Sequence, residues 1–97
     1  MEQEKIILIM SISEQQLQTK IKKKLQAEGY FVTKLSKTST NGIPDLLAIK
    51  DGQATFIEVK KKNGILSPLQ GLRLSELKKH GCQVYVWSDW GVEFKSK

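Results

Sequence analysis

The chain has 97 residues, of which 39% are hydrophobic and 27% charged, a composition that fits one ordinary globular domain with a modest core. Its formal charge of +6 rests on fifteen lysines and one arginine, which favours polyanionic partners, nucleic acid ahead of an anionic membrane surface. The single cysteine excludes an internal disulfide and a Cys-rich zinc site, and the single histidine argues against centres built from several histidines.

In chain order, Ile6-Ile7-Leu8-Ile9-Met10 is apolar without periodicity, so a short strand and a helix extension fit equally. The run follows Glu2 and Glu4, unlike a signal peptide, and falls far short of the about 20 residues of a membrane span. A soluble cytoplasmic protein is expected, in a bacterium or a phage-infected host. From Ser13 a helix is predicted, with Leu17, Ile21 and Leu25 recurring at i, i+4 and i+8 and Gly29 as its stop. Ser11 with Glu14, or Ser13 with Gln16, forms a capping box. The lysines at 20, 22, 23 and 24 fall mostly off the apolar stripe and read as a solvated face.

Tyr30 to Ser36 is rich in β-formers and predicts a strand, followed by a polar loop from Lys37 to Gly42. Leu46–Lys50 and Ala54–Lys60 flank Asp51-Gly52, a hairpin signal. Ser67-Pro68 opens a second helix, with Gln70 completing a capping box and Leu69, Leu72 and Leu77 on the expected apolar side. Val84 to Trp87 is a strand and Val92 to Lys95 a candidate further one. The order is helix, three strands, helix, one or two strands: a single α/β domain over residues 1–97, with one sheet and helices packed on it.

The chemistry is concentrated in the hairpin. With Asp51-Gly52 at the turn, Lys50 faces Gln53, and the same register sets Asp45 opposite Glu58, with Cβ atoms about 4.5–5.5 Å apart. Lys60 shares their face, two residues beyond Glu58. Opposed carboxylates repel, and the conflict is relieved when one keeps its proton or a divalent cation sits between them. Oxygen donors without histidine or thiolate suit Mg²⁺ or Mn²⁺. Such an ion suits phosphodiester hydrolysis, where Lys60 would orient or deprotonate a water or hold the scissile phosphate; electrostatic stabilisation is favoured, because neighbouring carboxylates raise a lysine's proton affinity. Glu14 lies on the buried face of the first helix, and its capping role with Ser11 weighs evenly against a catalytic one. Taken by itself, Gln70 reads as the capping partner of Ser67.

Gly42-Ile43-Pro44-Asp45-Leu46-Leu47, then Phe56-Ile57-Glu58-Val59-Lys60, then Gly64-Ile65-Leu66-Ser67-Pro68-Leu69-Gln70 resembles the virus-type replication-repair nuclease (VRR-NUC) domain of the PD-(D/E)XK superfamily. The resemblance spans about Ser13 to Trp87. It implies an αβββαβ restriction-endonuclease-like core, a central mixed sheet flanked by helices. Asp45 and Glu58 would be metal-binding carboxylates, with the Val59 backbone carbonyl as a further ligand and Glu14 another candidate. Lys60 would be the catalytic lysine, with Glu14 and Gln70 also in the active site. Lys61 and Lys62 are expected phosphate contacts, and Lys37, Ser39 and Thr40 candidate contacts to the DNA backbone. The family includes stand-alone phage and bacterial proteins that resemble Holliday-junction resolvases and work as homodimers. The expectation is therefore a Mg²⁺- or Mn²⁺-dependent structure-selective endodeoxyribonuclease, acting on four-way junctions as a homodimer. The alternatives are a catalytically silent nucleic-acid-binding module of the same fold, and a flap or nicking nuclease that needs a partner subunit.

Overall fold

The computed structural model describes residues 13–61 and 64–87. The expectations for residues 6–10, Lys62 and the strand at 92–95 lie outside the described residues. In chain order come α1 (Glu14–Ala27), β1 (Phe31–Lys34), β2 (Leu46–Lys50), β3 (Gln53–Val59), α2 (Pro68–Lys79) and β4 (Gln83–Trp87). This is the expected αβββαβ order, with the first strand shorter than Tyr30–Ser36.

The four strands lie in one sheet in the order β1-β2-β3-β4. β1, β2 and β3 are antiparallel neighbours, and β4 returns parallel to β3 after the α2 crossover, so the sheet is mixed. The hairpin register is the expected one, running from Lys50↔Gln53 to Leu46↔Ile57. Asp51 (φ 53°) and Gly52 (φ 77°) both adopt the left-handed region that a two-residue type I′ turn demands, which is why the Asp-Gly pair sets the register.

The two faces of the sheet carry separate cores. Leu17, Ile21 and Leu25 of α1 pack on Val32, Leu46, Ala48, Ile57, Val59 and Trp87. On the other face Leu74 packs with Val84 and Val86, supported by Phe56, Leu66 and Leu77. Both helices open on the capping boxes read from the sequence. In α1 the choice falls on Ser13 with Gln16, in α2 on Ser67 with Gln70.

The inward face of α2 differs from expectation. Leu72 is 51% exposed and Leu69 39%, whereas Leu74 is buried. Four leucines at 69, 72, 74 and 77 are spread around the helix and allow two orientations. The one adopted turns Gln70, Leu74 and Leu77 inward at i, i+4 and i+7, which brings a polar residue to the sheet. Among the described residues no helix is long and apolar enough to cross a membrane.

Candidate active site

The site forms where β2 begins and β3 ends. Strand alternation sends Ile57 and Val59 into the α1 core, so Glu58 and Lys60 project toward α2. One step beyond the last ladder pair, Leu46↔Ile57, the register sets Asp45 against Glu58. The buried Pro44 precedes Asp45, and the Asp45 carbonyl accepts from Leu35 N–H at 2.8 Å, so the chain is anchored on both sides of this point. Asp45 Oδ2 accepts the Val59 N–H at 2.8 Å, taking the place of a ladder partner. Because the N–H and carbonyl of one strand residue leave the same edge, the Val59 carbonyl also faces β2.

Glu58 is the most constrained group. It is 2% exposed. Its Oε2 accepts from Gln70 Nε2 at 3.2 Å and lies 3.7 Å from Lys60 Nζ. Its Oε1 is buried with no hydrogen-bond partner of standard geometry. Burial pushes the carboxyl up to about 8, and the Asp45 charge, a shared proton with Asp45 and the more remote Glu14 push the same way; Lys60 pulls against them.

Gln70 does both jobs that the sequence left in competition. Its Oε1 accepts from Ser67 N–H at 2.9 Å to complete the cap, and its Nε2 is thereby turned toward Glu58. The pairing of Glu14 with Ser11 lies outside the described residues. Glu14 Oε2 accepts from Lys61 N–H at 3.2 Å, which ties the start of α1 to the chain just past β3. Lys60 is mostly sheltered, 12% of its side chain being exposed, and its N–H extends the β3–β4 pairing to the Trp87 carbonyl at 3.0 Å.

Of the expected nucleic-acid contacts, Lys61 is exposed beside the site. Lys37 and Thr40 line a polar groove of about 690 Å³ whose lining also includes Asp45. Ser39 is exposed on the same loop but does not line that groove.

Two contributors escaped the sequence reading. Arg73 Nε donates to the Asn41 carbonyl at 2.8 Å and its Nη1 to Glu76 at 2.8 Å, which fastens the loop before Pro44-Asp45 to α2. Gly42 sits at φ +82°, where a Cβ would come within 2.8 Å of Leu69 Cγ and 3.1 Å of Arg73 Cγ. The lone arginine of a lysine-rich chain was the available signal for the first.

No group of three acidic, histidine or cysteine side chains stands ready to hold a metal among the described residues. The donors present nonetheless fit a hard ion. Mg²⁺ takes one or two carboxylates and fills its remaining positions with water and substrate phosphate. Glu58 Oε1, an oxygen buried without a partner beside a second carboxylate, is the feature that such an ion would satisfy.

The VRR-NUC domain family matches residues 3–88. The chain belongs to the VRR-NUC family. A solved VRR-NUC domain is 33% identical over 79% of this chain and 85% of its own, with a TM-score of 0.71. The Holliday junction resolvase Hjc of the archaeal hyperthermophile Archaeoglobus fulgidus shares the fold at 17% identity and a TM-score of 0.64, over 86% of this chain and 74% of its own. No curated protein matches. Membership of this family makes the protein a nuclease domain.

Proposed function

We propose that this VRR-NUC domain is a divalent-metal-dependent endodeoxyribonuclease that acts on branched DNA and resolves four-way junctions as a homodimer. The observation that carries the reading is the buried Glu58, set beside Asp45 and 3.7 Å from Lys60 Nζ, with one oxygen lacking a partner. Mg²⁺ or Mn²⁺ held by Asp45, Glu58 and the Val59 carbonyl would polarise the phosphoryl oxygen and acidify a water.

The chain's own groups do the rest. Lys60, kept near Glu58, offers a fixed positive charge to the phosphorane-like transition state and positions the attacking water. Its ammonium lies 3.7 Å from Glu58 Oε2, a placement that favours charge stabilisation. Gln70 holds Glu58 Oε2 and leaves Oε1 for the ion. Glu14 steadies the Lys61 backbone, and so the departure of the chain from β3.

The fold shared with a protein named as a Holliday junction resolvase supports the branched substrate. A two-fold dimer would present two sites to two strands of a junction. The exposure of Ile65 (86%) and Leu72 (51%) supports such an assembly.

The test incubates purified protein with labelled junction, flap and linear duplex, in Mg²⁺, in Mn²⁺ and in chelator. Symmetric incision of the junction by the wild type, lost in Asp45→Ala, is expected. Binding without cleavage in every metal condition would make the protein a silent module, and cutting confined to flaps would remove the resolvase assignment. A one-chain mass by light scattering at working concentration would remove the dimer.

A further inference from the structure

A second polar feature runs away from the active site along α1. The groove lined in part by Asp45 adjoins another depression of about 770 Å³, and the two share Gln15, Gln18, Lys34 and Ser36. Together they form a trough between the N-terminal half of α1 and the segment that follows β1.

Lys34 lines both parts of it. Its Nζ donates to Thr19 Oγ1 at 2.8 Å, and Thr19 spends its own hydroxyl proton on the Gln15 carbonyl at 3.1 Å. The hydroxyl can therefore only accept from Lys34, and the ammonium is held in one place with donors left over. Neither Lys34 nor Lys37 has a carboxylate partner among the described residues, in contrast to Lys24, which pairs with Glu28 at 3.2 Å. A half-buried, pre-positioned ammonium without a counter-ion among the described residues, in a trough lined by amides and hydroxyls, is suited to an anion. Among the described residues no aromatic side chain lines the trough, so none of them stacks on a base there.

We infer that the Lys34 trough binds the sugar–phosphate backbone of the DNA strand flanking the scissile bond, with Lys34 as a phosphate anchor, independent of base sequence. The assignment rests on the nuclease reading for the strand's destination, since Asp45 is part of the trough's lining. Backbone contacts of this kind set register without reading sequence, as a structure-selective enzyme requires.

The experiment measures binding of fluorescein-labelled junction and single-stranded DNA by anisotropy, in chelator, between 50 and 200 mM salt. The proteins compared are wild type, Lys34→Gln, Lys34→Arg and the paired-surface control Lys24→Gln, each checked by thermal melting. Loss of one phosphate contact makes the plot of log affinity against log salt shallower by about 0.7–0.9. Over that salt range the wild type should therefore lose about threefold more affinity than Lys34→Gln. Lys34→Arg should keep the wild-type slope, and Lys24→Gln should match the wild type.

In Mg²⁺, Lys34→Gln should raise KM and leave kcat nearly unchanged. An unchanged slope in a folded Lys34→Gln, an equal loss in Lys24→Gln, or no DNA binding by the wild type overturns the inference. Because binding is read without metal, the two readings fail separately. A wild type that shows the slope difference but never cuts upholds the trough and removes the nuclease assignment, whereas cutting with no slope difference removes the trough alone.

Discussion

Glu58 answers to opposing demands. Folding buries it on the α2 side of β3, and burial favours the neutral acid, while a bound cation would need the carboxylate. In the metal-free protein its carboxyl titrates near 8, above the ordinary 4.5. Between those values the unfolded chain releases a proton that the folded chain keeps. The associated stability is fully present below about 4.5 and is lost as pH rises through about 8. Melting temperature in chelator should accordingly fall between pH 5 and 8.5, and Glu58→Gln should flatten that fall. A Glu58→Gln profile parallel to the wild type would show that another group is responsible. Metal binding must displace the same proton, so the rise in melting temperature on adding Mn²⁺ should be larger at pH 8.5 than at pH 6. Lys60 carries the other single-residue expectation. Lys60→Met should lower kcat about 10²–10³-fold, the usual cost of one lost electrostatic stabiliser, and leave the circular dichroism spectrum unchanged.

At the scale of elements, α2 acts as a bracket on the site. Gln70 reaches Glu58 on β3, and one turn later Arg73 holds the Asn41 carbonyl in the loop leading to Asp45. Both carboxylates are therefore referenced to one helix. Gln70→Glu keeps the oxygen that caps Ser67 but turns an acceptor toward Glu58; activity should fall while helix content is retained. Gly42 is the contact point of the loop with α2, and Gly42→Ala meets both an unfavourable φ and the Leu69 side chain. It should destabilise by about 1–3 kcal/mol in urea denaturation and reduce cleavage. A fully stable, fully active Gly42→Ala would mean that the loop has room the packing denies it.

At the scale of the molecule, two cores on opposite faces of one sheet keep the β2–β3 hairpin from shifting. Leu25, fully buried at the centre of the α1 core, should cost about 2–5 kcal/mol on truncation to alanine, measured by chemical denaturation. The charge of +6 predicts DNA affinity that falls steeply with salt for every DNA structure tested. Preference among junction, flap and duplex should survive salt better than affinity does, because it depends on where the sites sit and not on how much charge surrounds them.

Much of this architecture was legible in the chain. Short-range rules settle caps, turns and strand faces: Ser13 and Ser67 cap as their downstream glutamines imply, Asp51-Gly52 sets a register that brings Asp45 to Glu58, and Leu17, Ile21 and Leu25 form the buried stripe. Periodicity was silent where residues of one kind surround a helix, and so it placed Leu72 inward and overlooked Leu74. Only packing on Val84 and Val86 decided the rotation of α2, and with it the aim of Gln70. The Arg73–Asn41 clasp, the Glu14–Lys61 tie and the Lys34–Thr19 pair join residues far apart in sequence. Which distant donor meets which acceptor depends on how helices and sheet come together in space, and no local pattern of residues encodes that.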